Sequence, residues 1–275
     1  MPTPAFADPL DLVDLASGIA RKAADLLLDG TRHARSTVET KSTSTDMVTE
    51  MDRASEALIV TALLDARPDD GIVAEEGSAR EGSSGLRWVI DPLDGTTNYL
   101  YGHPGWAVSI AAELADATGA RQVVAGVVLD AVHDDLFTAA LGHGALRNGA
   151  PIHCSDQTDL SRTLVATGFG YDPERRQAQA EVLVKLLPQV RDIRRVGAAA
   201  VDLCSVACGR VDAYFERGLA WWDLAAGGLI AAEAGAVVSS LSGGPAEAGS
   251  VFAAANGISG ALRDLLGALG AGEVP

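Results

Sequence analysis

Apolar residues at Leu12, Leu15, Ile19, Ala23 and Leu26 recur every three or four positions, the spacing of one helix face. Asp8-Pro9 opens the segment and Gly30 closes it, which predicts an amphipathic helix over 8–30. A polar stretch rich in Thr and Ser, 31–45, interrupts the pattern and reads as a loop. Thr49 and Asp52 then have the spacing of a capping box, opening a helix that Pro68 stops. From there the period shortens. Ile72-Val73-Ala74 and 86–90 read as strands, and 106–114, 122–129 and 134–140 follow with short turns, as antiparallel neighbours do.

Asn148-Gly149 is a turn signal, and a boundary near 149–159 divides the chain into expected domains 1–152 and 153–275. Beyond it the order changes to strand 164–167, helix 174–187, strand 193–196, an Ala-rich helix 197–208, strand 211–216 and helix 223–234. Strands 237–241 and 251–255 and a helix 259–269 finish the chain. This alternation predicts a mainly parallel sheet covered by helices, and so an α/β (α+β) protein.

At 275 residues, nearly half of them apolar, the chain can bury a substantial core. Its formal charge of -16 opposes nucleic acid and anionic membrane, so neither is an expected partner. Three cysteines, Cys154, Cys204 and Cys208, form no zinc-type array and fit reduced thiols in a cytoplasmic protein. Cys204 and Cys208 share a helical face as packing residues. No basic segment of secretory type opens the chain, and Asp223 and Glu233 break its most apolar later stretch.

The chemistry concentrates in Trp88-Val89-Ile90-Asp91-Pro92-Leu93-Asp94-Gly95-Thr96-Thr97-Asn98. A buried strand ends there at two acids, a glycine and two hydroxyls, with side-chain oxygens placed to cap a helix and N–H groups left pointing outward. Carboxylates beside N–H donors suit a divalent metal that holds a phosphate. The aspartyl nucleophile loop of haloacid-dehalogenase-type phosphatases reads Asp-x-Asp-Gly-Thr. The Asp-x-x-Asp spacing here instead makes both acids metal ligands, with no covalent nucleophile. Glu75-Glu76 follows the neighbouring strand, so Glu75 and Asp91 can reach one sheet edge. Trp221-Trp222-Asp223 supplies another acid, read as a helix N-cap beside an indole wall.

These three motifs, the last continuing as Leu224-Ala225-Ala226-Gly227, resemble the inositol monophosphatase family, with agreement running from Lys41 to Asn256. The resemblance implies a layered α-β-α-β-α sandwich, an antiparallel sheet followed by a mixed one, and a homodimer. It implies a lithium-sensitive phosphatase using two to three Mg²⁺ ions, with Mn²⁺ possible from the all-oxygen donor set. Glu75, Asp91 and the Leu93 carbonyl would hold one ion, Asp91, Asp94 and Asp223 a second, and Glu75 would reach a third. Lys41 would mark the loop of that third ion. Thr96 would place the attacking water, and Asp52 would orient Thr96 from behind. Gly95 and Thr96 would offer N–H groups to the phosphate, while Gly197, Ala198, Ala199 and Glu216 would line the alcohol. Glu216 favours a polyol such as inositol 1-phosphate. Histidinol phosphate, fructose 1,6-bisphosphate, 3′-phosphoadenosine 5′-phosphate, or a role as a protein contact of the transcription machinery stand as alternatives.

Overall fold

The computed structural model describes residues 8–31, 38–40 and 47–273; Lys41 and the Thr49 side chain lie outside the described residues. Helix α1 spans Pro9–Gly30, with the Asp8 carboxylate accepting the Leu10 N–H at 2.9 Å as its cap. Its buried stripe runs through Leu12, Ala16, Ile19, Ala23 and Leu27. Helix α2, Glu50–Ala66, lies beside it, and the two cover one face of a large sheet.

After the short antiparallel pair β1 (Val38–Thr40) and β2 (Met47–Thr49) comes that sheet, of eight strands. Its members are β3 (Gly71–Ala74), β4 (Ala79–Arg80), β5 (Leu86–Asp94), β6 (Ala107–Ala115), β7 (Arg121–Asp130), β8 (Asp135–Ala140), β9 (Ala145–Arg147) and β10 (Ala150–Ile152). Their order is β10-β9-β8-β7-β6-β5-β3-β4, and within it β3 and β5 are the parallel pair. The expected antiparallel run is present, with β9 and β10 added around the Asn148-Gly149 turn. Along β5, Trp88 and Ile90 pack with α1 and α2 while Val89 enters a second core on the opposite face. This is the two-residue alternation of a sheet buried on both sides.

The second sheet has five strands in the order β12-β11-β13-β15-β14. Strand β11 (Leu164–Thr167) runs parallel to β12 (Asp192–Arg194) and β13 (Ala213–Arg217). Strand β15 (Ser250–Ala254) is antiparallel to β13 and to β14 (Val237–Ser239). The sheet is therefore mixed rather than mainly parallel. Only residues 240–249 separate β14 from β15, too few for a helical crossover, so the chain turns back as a hairpin.

Helices α5 (Ala199–Ala207) and α6 (Trp221–Glu233) lie between the sheets, and α4 (Pro173–Leu186) and α7 (Asn256–Ala268) cover the outer face of the second. The α-β-α-β-α layering is complete. Every residue of α5 is buried, because sheet or helix meets it on all sides. Among the described residues no helix is long and apolar enough to cross a membrane.

Helix α6 packs against the sheet at Gly126 of β7, where a β-carbon would come within 2.9 Å of the Ala226 carbonyl oxygen. Gly126→Ala is expected to push α6 off the sheet and lower the unfolding free energy by about 1–3 kcal/mol. Urea unfolding measures this; an unchanged midpoint would show that the contact relaxes without cost.

Candidate active site

Strand β5 does not stop at Asp91 but continues to Asp94, with a register shift between them against β6. Residues three apart on a regular strand face opposite ways, and the shift lets both acids reach the same side. Asp91 Oδ1 accepts the Leu93 N–H at 3.0 Å. Next door, Ala74 pairs with Ile90 in parallel register and the Glu75 N–H donates to the Ile90 carbonyl at 3.1 Å, bringing Glu75 beside Asp91. The turn after Glu75 is fixed by Glu56 of α2, whose carboxylate accepts the N–H groups of Glu76 at 2.7 Å and Ser78 at 2.9 Å. Glu56 gave no signal in sequence because it sits within a polar helical stretch.

Helix α3, Thr96–Tyr101, starts from Gly95 at φ 87°, and no side chain caps it. The helix cap expected from side-chain oxygens of this segment is made on a distant helix rather than on α3. Asp94 accepts the N–H groups of Ala199 at 3.2 Å and Ala200 at 2.7 Å, capping α5 across 105 and 106 residues of chain. A β-carbon on Gly95 would lie 2.9 Å from the Gly105 carbonyl oxygen and 3.1 Å from the Ala198 β-carbon, so space and φ both demand glycine.

Thr96 Oγ1 lies 3.0 Å from Asp52 Oδ1 and 3.2 Å from the Leu93 carbonyl oxygen. Asp52 is buried behind it, reaching the site from the first turn of α2. Asp223 is not the N-cap of α6 as expected but its third residue, and its Oδ2 accepts the Ala220 N–H at 2.7 Å. Glu216 is the penultimate residue of β13, two along from Tyr214, whose hydroxyl donates to Glu216 Oε2 at 2.7 Å. Gly168 makes room for that carboxylate: a β-carbon there would fall 1.8 Å from Oε2.

One cavity of about 620 Å³ gathers Glu75, Asp91, Leu93, Asp94, Gly95, Thr96, Gly197, Ala198, Ala199, Glu216 and Asp223. Trp222 lines it as well, whereas Trp221 turns away. Burial, then the charges of Glu75, Asp94 and Asp223, hold the Asp91 carboxyl well above its usual range. Burial likewise raises Asp223, reinforced by Asp94 and Glu75. Asp94 is pushed up to about 7 by burial, against the pull of the Ala200 and Ala199 N–H groups. Glu216 also rises to about 7 through burial, opposed by the Tyr214 hydroxyl and the Arg195 charge.

Buried acids that repel one another form a donor set short of positive charge, and all-oxygen donors of this kind fit hard divalent cations. Among the described residues no three His, Cys, Asp or Glu side chains close up as a metal cage. The acids instead stand around the cavity wall, which suits ions that keep water and share ligands with a substrate.

A model of the inositol monophosphatase family matches residues 8–270. The chain belongs to that family. The inositol-1-monophosphatase SuhB of Mycobacterium tuberculosis is 46% identical over 210 residues, 73% of this chain and 71% of that protein. A protein of Pasteurella multocida named Nus factor SuhB is 41% identical over 235 residues, 85% of this chain and 86% of its own. Among solved structures, the extragenic suppressor protein SuhB of Bartonella henselae superposes with a TM-score of 0.87 at 35% identity, covering 93% of this chain and 98% of that one. Family membership makes the chain a phosphatase, and its layered sandwich is the family's.

The raised acids give the metal-free protein a defined pH response. Asp94 and Glu216 move from 3.8 and 4.5 to about 7, so the folded chain keeps protons that the unfolded chain has released. Their contribution is full below the unfolded values and is lost as pH rises through about 7. In EDTA the melting temperature is expected to fall between pH 5 and pH 8, and Mg²⁺ to restore it most strongly at pH 8. A flat profile in EDTA would contradict the assignment.

Proposed function

We propose that the chain hydrolyses a small phosphorylated polyol, inositol 1-phosphate first, by attack of water in the presence of Mg²⁺. The observation that carries this reading is the convergence of four acids, the Thr96–Asp52 pair and the polyol-facing Glu216 on one cavity. Glu75, Asp91 and the Leu93 carbonyl would hold one ion and Asp91, Asp94 and Asp223 a second, with Glu75 in reach of a third; all these groups line the cavity, and Mn²⁺ would suit the same donors. Once bound, such ions activate water and neutralise charge on the departing oxygen.

The chain's own groups do the rest. Donation from the Thr96 hydroxyl to Asp52 Oδ1 leaves its lone pairs free to accept a hydrogen bond from water and fix that water's direction. N–H groups at the start of α3, from Gly95 and Thr96, hold phosphate oxygens. Gly197, Ala198 and Ala199 give the alcohol a wall with little side-chain bulk, and Glu216 accepts hydrogen bonds from its hydroxyls. No residue of the chain becomes covalently phosphorylated.

The printed name of the mycobacterial relative supports inositol 1-phosphate. The same machinery would serve histidinol phosphate, fructose 1,6-bisphosphate or 3′-phosphoadenosine 5′-phosphate, and the homodimer expected from the family belongs to this reading. The relative named Nus factor SuhB favours a second reading, contact with the transcription machinery, which retention on an RNA polymerase column without Mg²⁺ would reveal.

Phosphate release from inositol 1-phosphate should require Mg²⁺, stop in EDTA and exceed that from the three other esters. Asp94→Asn should lower kcat at least about a hundredfold while the chain still unfolds cooperatively. Another ester in the lead would move the substrate and keep the mechanism; near-normal turnover by Asp94→Asn would remove the metal assignment.

A further inference from the structure

Outside the cavity, a chain of three side chains centred on the buried Glu113 runs from the first sheet to the helix that carries Asp223. Glu113 of β6 is 2% exposed and stands opposite Arg87 of β5. Arg87 Nε and Nη2 donate to Glu113 Oε2 at 2.8 and 2.6 Å. The other oxygen, Oε1, accepts the Trp221 indole N–H at 2.5 Å across 108 residues of sequence. Both carboxylate oxygens are thus engaged, one by strand β5 and one by the first residue of α6.

The start of α6 needs such a tie. Its N-cap is Ala220, which has no side-chain acceptor to offer the first N–H groups. Within the turn, Asp223 accepts the Ala220 N–H, yet Asp223 is the residue that must also face the cavity. A helix turn held only by its own functional acid is free to rotate with it. The bond from Trp221 to Glu113 anchors the turn to the sheet instead, two residues ahead of Asp223 and one ahead of the cavity-lining Trp222. The bulge between Ala112 and Glu113 in the β6–β7 pairing lies at the anchoring residue itself.

We infer that Glu113 and Trp221 are positioning residues that set the direction of the Asp223 carboxylate toward a divalent cation. The inference rests on the reading of Asp223 as a metal ligand. It assigns the two tryptophans separate tasks, Trp222 walling the cavity and Trp221 holding the helix that carries the ligand. Arg87 contributes to the stability of the buried Glu113 rather than to the aim of Asp223.

The test is Mn²⁺ binding by calorimetry on the full chain, alongside thermal unfolding, for wild type, Trp221→Phe and Arg87→Gln. Trp221→Phe keeps the ring packing and deletes the N–H, and is expected to weaken Mn²⁺ binding about tenfold with a small change in melting temperature. Arg87→Gln keeps the indole bond and is expected to lower the melting temperature more, with Mn²⁺ affinity within about threefold of wild type. In turnover, Trp221→Phe should raise the Mg²⁺ concentration for half-maximal rate without a matching rise in KM for inositol 1-phosphate. Unchanged Mn²⁺ affinity in Trp221→Phe, or equal weakening in both variants, overturns the inference and leaves the proposed function standing. Absence of Mn²⁺ binding in wild type overturns the reading of Asp223, and the inference with it.

Discussion

The structure depends on the carboxylate of Asp94 and its two bonds to the N–H groups of Ala199 and Ala200. The acid belongs to the first sheet and the N–H groups to a helix of the central layer, so a single side chain joins the two halves at the cavity. Helix α5 offers no side-chain cap of its own, since Ala198 stands at that position, and its unpaired donors and positive end require an anion. The bonds also keep the carboxylate oriented. Burial pushes Asp94 upward while the two N–H groups draw it down, which leaves it at about 7.

The central layer imposes a second constraint. Helices α5 and α6 lie between two sheets, so side chains on every face must fit against strands or the other helix. Alanine and glycine dominate the contacts for that reason. Gly126 meets the α6 backbone, and Gly227 of α6 meets Leu203 of α5, where a β-carbon would lie 2.8 Å from the leucine β-carbon. Close packing of this kind fixes the helix starts rigidly, and those starts carry Ala199 and Asp223 to the cavity.

Several buried acids beside the cavity serve as fixed points for its backbone and side chains. Glu56 fastens the turn after Glu75, Asp52 holds the Thr96 hydroxyl, and Glu113 ties the first turn of α6 to the sheet. Each is buried and hydrogen-bonded, as a buried carboxylate must be to avoid a large desolvation cost. The net charge of -16 is thus partly internal, placed where the backbone and hydroxyl donors of the site need acceptors.

By itself the sequence determined the strands and helices with strong periodicity, the layered fold through its motifs, and the acids and small residues that form part of the cavity wall. Local patterns carry that information because a strand that ends in acids, a glycine turn or an amphipathic helix is encoded within a dozen neighbouring residues. Tertiary structure alone decided what each acid touches. Asp94 lies in a segment that reads as capping a helix, and the helix it caps is 105 residues away. Asp223 looked like an N-cap and is the third residue of α6, within its first turn. The second sheet looked parallel until the hairpin of β14 and β15 closed it as mixed. Glu56, Glu113 and Gly168 were silent, because their partners lie 20 to 108 residues distant or act through excluded volume. Such pairings form only when the layers stack, and no local period records them.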